Sequence, residues 1–328
     1  MELLKQLYQI HSPSGNERAM KKFIKGYVKK HIPGVTIKND PVGNLYMIKG
    51  DSETYPCIVS HLDQVQKRHS RDFKAIETED ILFGYSPGHR RREGLGADDK
   101  NGIWIALKCL EKYGCLKVAF FISEEVGCIG SRNADMDFFE DTRFVIEPDR
   151  RGYGDLITKI SYTSLCSPEF LKDTGFEAFG YREENGLMTD ILELKEKGLK
   201  VSCINLSCGY YEPHTDDEFT VKKDLLNCLG LIEHIIENCV SVYPHENTGG
   251  YDGYYSWIDA EIELWDILSV SPELSMEEFH YMYQTSFPWL KEKDFERIYN
   301  EYHEFNDEEE GWKDTNWKEA GNTKRPWI

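Results

Sequence analysis

The spacing of apolar residues predicts several helices in the first part of the chain. Within residues 17–31, Met20, Ile24 and Val28 recur every four positions before Pro33, which is typical of a helix with one buried face. The same reasoning predicts further helices over residues 2–10, 101–113, 186–197 and 221–238.

Short apolar runs between these helices predict β-strands, and they cover residues 35–38, 45–48, 57–60, 118–122, 144–146 and 201–206. The run Val118–Ile122 is apolar throughout, as expected of a strand that is covered on both faces. Because strands and helices alternate, we predict an α/β fold with a mostly parallel mixed sheet and helices on both of its faces.

The composition changes near Ser241, and we place a domain boundary there. Residues 1–240 would form the α/β domain, and residues 241–328 an acidic, aromatic-rich helical extension. In the extension, the capping-box pattern Ser275–Glu278 predicts the start of one helix, and a second helix is predicted over 291–305. The acidic run Asp307–Glu310 is expected to be exposed.

The charge balance argues against a nucleic-acid partner. The 328 residues include 39 Lys and Arg against 58 Asp and Glu, a net charge of −19, and such a surface repels phosphate backbones. The single dense basic cluster, Arg90–Arg92, is interpreted as a solvated loop. No apolar segment approaches the ~20 residues needed to cross a membrane.

The cysteines and the N-terminus favour a cytoplasmic location. The nine cysteines form no CxxC motif, and several lie inside apolar runs, where a free thiol behaves as a small buried hydrophobic group. The first residues show no basic segment followed by an apolar core, so no signal peptide is expected.

Five short patches carry acids and histidines at places that the predicted fold brings together: His61–Asp63, Gly96–Lys100, Glu124–Glu125, Glu147–Asp149 and Pro213–Thr215. Three of them directly follow predicted strands, and the carboxyl ends of parallel strands meet at one edge of a sheet. Each patch alone has a commoner explanation, such as a surface ion pair or a helix cap. Their joint occurrence predicts a metal site.

The types and spacing of these residues favour metal-assisted hydrolysis. His61 and Asp63 are two apart, so in an extended segment one can bind a metal while the other orients it. Glu124 and Glu125 are adjacent and cannot point alike, so one can face a metal while the other takes a proton from water that zinc has acidified. Two imidazoles and three carboxylates suit a pair of zinc ions, for which Asp98 is the natural bridge.

Together the patches resemble the motifs of the co-catalytic zinc exopeptidases, the clan that includes peptidase T, related dipeptidases and acylases, and bacterial leucine aminopeptidases. The family pattern is His-x-Asp, Gly-Ala-Asp-Asp-Lys-x-Gly, Glu-Glu-x-Gly, a lone acidic ligand and a final histidine. The corresponding residues here are His61–Asp63, Gly96–Gly102, Glu124–Gly127, Asp149 and His214, and Ser12–Glu17 is similar to the family's N-terminal turn. The resemblance extends to about residue 240.

The resemblance implies a ligand set for two zinc ions per chain. His61 and Asp149 would hold one ion, Glu125 and His214 the other, and Asp98 would bridge them. Whether cobalt or manganese takes the place of zinc is left open.

The resemblance also implies two further roles and a layout. Glu124 would be the general base, and Asp63 would orient His61. Peptidase T and the acylases carry a lid or dimerisation domain between the last two patches, whereas only 65 positions separate Asp149 from His214 here. Residues 1–240 are therefore expected to form a three-layer catalytic domain without a lid.

Three functions remain open at this stage. The first is an aminopeptidase that cleaves short peptides. The second is an N-acyl-amino-acid amidohydrolase or carboxypeptidase with the same metals, in which Arg150, Arg151 or Arg182 would bind the substrate carboxylate. The third is a binding module that has kept the fold and lost the chemistry.

The aromatic residues that follow the Ser241 boundary are also ambiguous. They could line a substrate pocket in place of the lid, form an oligomer interface, or simply pack within the extension: Tyr251, Tyr254, Tyr255 and Trp257. The oligomeric state and the side-chain preference are left open.

Overall fold

The computed structural model describes residues 1–160, 163–246, 264–265, 267–269, 271–272, 274–284, 287 and 290–303. The chain divides into two compact units, Met1–Gly250 and Tyr251–Ile328. The tyrosines and tryptophan of 251–257 and the acidic run 307–310 lie outside the described residues.

A nine-stranded mixed sheet runs through the first unit. Its strands are β1 (Val35–Asn39), β2 (Leu45–Lys49), β3 (Tyr55–His61), β7 (Leu116–Phe121), β8 (Thr142–Arg150), β9 (Asp155–Ile160), β10 (Thr163–Ser164), β11 (Arg182–Gly186) and β12 (Cys203–Ser207). They are ordered β1-β2-β7-β3-β8-β12-β9-β10, with β11 also paired to β9. The four central strands, β7, β3, β8 and β12, are parallel to their neighbours in this group.

The helices of the first unit are α1 (Glu2–Tyr8), α2 (Arg18–His31), α3 (Ala97–Lys112), α4 (Ile129–Arg132), α5 (Pro168–Thr174), α6 (Asp190–Glu196) and α7 (Lys222–Asn238). They cover both faces of the sheet. Along β3, Ile58 packs into the hydrophobic cluster that holds α1, α2, α3 and α7, and Val59 packs into a second cluster with Ile191 of α6. Successive side chains of a strand thus pack into two different cores, one on each face of the sheet. The predicted α/β fold with helices on both faces is confirmed.

A second, five-stranded antiparallel sheet was not predicted. It comprises β4 (Lys74–Glu77), β5 (Ile81–Ser86), β6 (Arg91–Arg92), β13 (Tyr210–Tyr211) and β14 (Phe219–Val221). Four of these strands have four residues or fewer, and β5, whose apolar run Ile81–Tyr85 the prediction passed over, pairs with β14 from more than a hundred residues away. Within β5, Gly84 has no room for a side chain, because a Cβ there would lie 2.0 Å from the carbonyl oxygen of Glu93.

The end of β8 and the start of α6 differ from the prediction, because contacts with distant segments decide them. β8 continues to Arg150, so Asp149 lies on the strand and not after it. The helix predicted over 186–197 begins only at Asp190, as α6, and residues 182–186 form strand β11, which was not predicted. Gly186, the first residue of the predicted helix, pairs with β9 instead.

The second unit contains the predicted capping box. Ser275 and Glu278 exchange the side-chain to backbone hydrogen bonds of that motif at the start of α8 (Met276–Tyr283). A further helix covers 292–303, and the ring of Phe295 meets that of Phe279 edge to face at 5.7 Å.

The described helices include none with the length and apolar character that a membrane crossing requires. All nine cysteines are free thiols, and eight of them are buried.

The central strands should dominate the stability of the first unit. Phe120 of β7 is fully buried, so Phe120→Ala should lower the free energy of unfolding by about 3–5 kcal/mol. Leu226→Ala, at a side chain that is 49% exposed, is the control and should change it by less than about 0.5 kcal/mol. Urea denaturation followed by circular dichroism measures both, and equal losses would contradict this placement of the core.

Candidate metal centre

The five predicted metal ligands come together at the carboxyl edge of the main sheet. His61 ends β3, Asp149 lies near the end of β8, and Glu125 follows β7. Asp98 lies in the first turn of α3, and His214 lies in the loop between β13 and β14. Their ligand atoms form overlapping groups in which all atoms lie within 4.8 Å of one another.

Asp98 lies between the two histidines. Its Oδ1 is 2.9 Å from Nε2 of His61, and its Oδ2 is 3.4 Å from Nε2 of His214. A second carboxylate accompanies each imidazole: Asp149 Oδ2 is 3.7 Å from His61 Nε2, and Glu125 Oε2 is 3.1 Å from His214 Nε2. The arrangement is two three-residue donor sets that share Asp98.

The electrostatics of these groups show how much the site depends on cations. Burial works against charge on Asp98, yet the imidazoles of His214 and His61 hold its pKa well below its usual range. The pKa values of Asp149, Glu124 and Glu125 are raised, first by burial and then by neighbouring carboxylates. So many carboxylates in one buried volume require positive charge to remain ionised together.

The donors fit a pair of divalent metal ions. Imidazole nitrogens and carboxylate oxygens are the ligands that zinc takes in hydrolytic sites. Oε1 of Glu125 is buried and has no hydrogen-bond partner among the described residues, as expected of an oxygen that is kept for a cation.

Asp63 ties the first two patches together. Its Oδ1 accepts a hydrogen bond from the backbone N–H of Glu124 at 2.9 Å, and its Oδ2 accepts from Glu125 N–H at 3.2 Å and from the hydroxyl of Ser14 at 2.7 Å. Oδ1 also lies 3.4 Å from Nδ1 of His61. One carboxylate therefore holds the Glu124–Glu125 backbone and lies beside the imidazole.

Glu124 belongs to the same cluster. Its Oε2 is 3.9 Å from Nε2 of His61, and its side chain keeps 14% of its surface exposed. Ligand atoms of His61, Glu124 and Glu125 all lie within 4.8 Å of one another, so both adjacent glutamates reach the site. Of the two, Glu125 is the one that approaches His214, at 3.1 Å. The expectation that one glutamate faces a metal while the other takes a proton stays a prediction.

Asp99, which was not assigned a role, joins α3 to β3. Its carboxylate accepts the N–H of His61 at 3.3 Å and the N–H of Gly102 at 2.9 Å. A Cβ on Gly102 would lie 2.4 Å from the oxygens of Asp99, so this position requires glycine. In the Asp-Asp-Lys-x-Gly pattern, Asp98 is thus a candidate ligand, Asp99 links α3 to His61, and Gly102 leaves room for the Asp99 carboxylate.

Asn205 and Tyr210 hold Asp149, and sequence reasoning missed both. The amide of Asn205 on β12 bonds to the backbone N–H and carbonyl of Asp149, at 3.1 and 3.0 Å. The hydroxyl of Tyr210 donates to Oδ1 of Asp149 at 3.3 Å. Asn205 lies within an apolar run, and a polar residue on a central strand is the one sequence signal that pointed to it.

The N-terminal turn packs against the same edge. Oε1 of Glu17 accepts the N–H of Gly15 at 2.8 Å and both the N–H and the hydroxyl of Ser123 at 3.2 Å. Ser123, with a φ of 51°, directly precedes the two glutamates. The Ser12–Glu17 segment therefore supports the loop that carries Glu124.

The basic residues near these patches are paired with acids. Arg150 and Arg182 both lie within 4 Å of Asp155, at 3.7 and 3.8 Å, and Arg182 also meets Glu184 at 3.0 Å. Of the Arg90–Arg92 cluster, Arg92 donates to the backbone carbonyls of Asp217 and Glu218. Arg92 therefore belongs to the scaffold of the His214 loop.

Comparison with solved structures finds the same fold in peptidases, although the chain matches no known family model and no curated protein by sequence. The aminopeptidase PepT of Bacillus cereus superposes with a TM-score of 0.57 at 15% identity, over 73% of this chain and 98% of that chain. A tripeptidase of Staphylococcus aureus gives 0.57 at 15% identity, over 72% of this chain and 96% of that chain.

A TET aminopeptidase from a marine-sediment thaumarchaeon gives a TM-score of 0.58 at 13% identity, over 74% of this chain and 97% of that chain. At these identities the likeness is one of fold. The chain has the α/β fold of peptidase T and of the TET aminopeptidases, which agrees with the resemblance in its motifs.

Two glycines give opposite expectations for the same substitution. Gly102→Ala would push the Asp99 carboxylate away from His61 and should cost about 1–3 kcal/mol of folding free energy. Gly26→Ala, in α2 with nothing within 4 Å of the new methyl group, should stabilise by up to about 1 kcal/mol because alanine favours helix. Thermal unfolding of both variants measures this, and a stabilised Gly102→Ala would contradict the role given to Asp99.

Proposed function

We propose that this chain is a co-catalytic zinc exopeptidase, and specifically an aminopeptidase that acts on short peptides. One observation carries the proposal: the two oxygens of Asp98 face His61 and His214, and each imidazole has a second carboxylate beside it. Two donor sets joined by one carboxylate suit a pair of divalent ions better than a single ion. The fold of known peptidases supports the same reading.

In this proposal five residues hold the metal pair. His61 and Asp149 would hold one zinc ion, Glu125 and His214 would hold the other, and Asp98 would be the shared ligand. When bound, the zinc pair would polarise the scissile carbonyl and lower the pKa of the attacking water. Every other contribution comes from side chains of this chain.

Glu124 is proposed to move the proton. Its carboxylate lies beside His61 and is partly exposed, so it can accept a proton from the attacking water and return it to the leaving amine. Asp63 fixes the backbone of Glu124 by accepting its N–H, which limits where that carboxylate can reach. Asp63 is thus proposed to position both the base and His61.

The pairing of arginines supports an aminopeptidase over a carboxypeptidase or acylase. Enzymes of the second kind need a cation for the substrate carboxylate. Two of the three candidates, Arg150 and Arg182, already face Asp155. The acidic surroundings of the site suit the free amino group of a peptide better than its carboxylate.

The role of Glu124 is tested by Glu124→Gln. The amide cannot accept a proton, so turnover should fall by about 10²-fold or more while bound zinc stays near two ions per chain. Glu53→Gln, at an exposed loop residue, is the matched control and should leave turnover unchanged. Peptide hydrolysis and elemental analysis of the same samples provide the measurements, and near-normal turnover would refute the assignment.

The choice between the two hydrolase classes is tested by one pair of substrates. A dipeptide with a free amino group should be cleaved at least about tenfold faster, by kcat/KM, than the same dipeptide with an acetylated N-terminus, which corresponds to about 1.4 kcal/mol of transition-state binding. Preference for the blocked substrate would favour the amidohydrolase. Cleavage of neither by zinc-loaded protein would refute a peptidase.

A further inference from the structure

Glu218 is a fully buried carboxylate that no motif assigned. It lies four residues after His214, at the end of the loop that joins β13 to β14. Its neighbours on that loop, Asp216 and Asp217, have side chains that are 41% and 74% exposed and pair with Arg68 and Arg92, respectively. Glu218 instead points inward, and its side chain has no exposed surface.

The carboxylate of Glu218 binds the backbone that carries Asp98. Oε2 accepts the N–H of Gly96 at 2.6 Å, and Oε1 accepts the N–H groups of Ala97 at 2.9 Å and Asp98 at 3.2 Å. Gln66 adds a fourth hydrogen bond to Oε2 at 3.2 Å. Both oxygens of this carboxylate thus accept hydrogen bonds from the three consecutive backbone N–H groups of residues 96–98.

Among the described residues, those three N–H groups have no acceptor other than Glu218. The backbone there is not yet helical: Gly96 has a φ of 61°, and Asp98 and Asp99 depart from helical angles. All three residues are buried, so water cannot take the place of Glu218. A carboxyl group at a helix start also interacts favourably with the helix dipole when it is ionised.

The surroundings leave this segment little freedom. Gln64 accepts from Nζ of Lys100 at 2.5 Å, and Lys100 also donates to the carbonyl of Leu95 at 2.9 Å. A Cβ on Gly96 would lie 2.7 Å from the Gln64 amide carbon and 2.8 Å from Lys100 Nζ. Burial raises the pKa of Glu218 to about 7, and the nearby Lys100 acts in the opposite direction.

We infer that Glu218 is a positioning residue for Asp98 and, through it, for the metal pair, an inference that rests on the proposed function. A single loop thereby supplies two elements of the site: His214 as a ligand and Glu218 as the clamp on the shared ligand. Arg92 holds the backbone of this loop at Asp217 and Glu218, at 2.7 and 3.1 Å. The second sheet therefore sets the distance between the ligands.

The test compares zinc binding by Glu218→Gln with zinc binding by Asp216→Asn. The glutamine amide can accept on one atom only, and its NH₂ group would face backbone donors, so Asp98 loses part of its support. The zinc dissociation constant should rise by about 10- to 100-fold, as for other residues that orient metal ligands. Asp216→Asn removes a charge from the same loop without touching Asp98 or Arg92, since Asp216 pairs with the exposed Arg68, and its zinc affinity should match that of the wild type.

Zinc affinity is measured by competition with a chromophoric chelator, and circular dichroism verifies folding. The absorption spectrum of the cobalt-substituted protein gives a second readout, which should change in Glu218→Gln and stay constant in the control. A folded Glu218→Gln with wild-type zinc affinity and an unchanged cobalt spectrum would overturn the inference.

A fallback variant covers the case in which Glu218→Gln does not fold. Gln66→Met removes one hydrogen bond to Glu218 and keeps a side chain of similar length, so zinc should bind about threefold more weakly. Unchanged affinity in that variant would then refute the inference. Wild-type protein that binds zinc but cleaves no peptide would refute the proposed function alone, and wild-type protein that binds no zinc would refute both.

Discussion

The rest of this structure depends on a cluster of carboxylates and imidazoles that are buried together in one small volume. His61 is fully enclosed, and Asp98, Glu125 and Asp149 are nearly so, which removes the water that would otherwise stabilise their charges. Such a cluster persists only with counter-charges and with a scaffold that prevents the acids from moving apart. Much of the local architecture can be understood as that scaffold.

In this scaffold, further carboxylates accept hydrogen bonds from backbone N–H groups. Asp63 binds the N–H groups of Glu124 and Glu125, Asp99 binds those of His61 and Gly102, and Glu218 binds those of the Gly96–Asp98 segment. Except for the Asp99–Gly102 contact within α3, each joins a segment with a proposed ligand to an element distant in sequence. Ligand geometry is therefore built into the backbone, where it is stiffer than in side chains alone.

The two sheets contribute different residues to the site. The main sheet delivers His61, Asp149 and the two glutamates at its carboxyl edge, which is where ligands bind in open α/β folds. The small antiparallel sheet carries the loop with His214 and Glu218 between its strands β13 and β14. Between Asp149 and His214, the described residues add β9, β10, β11 and β12 to the main sheet.

The sequence by itself determined the α/β class, most helices and central strands, and the set of residues that meet at one edge. These follow from local periodicity and from the rule that parallel strands end together. Only the tertiary structure decided the second sheet, strand β11 and the parts played by Asp99, Asn205 and Glu218. The physical reason is that these features consist of hydrogen bonds between distant segments: in the run Asp216–Asp217–Glu218 nothing local distinguishes the one acid that turns inward, and its meaning depends on which backbone donors it meets.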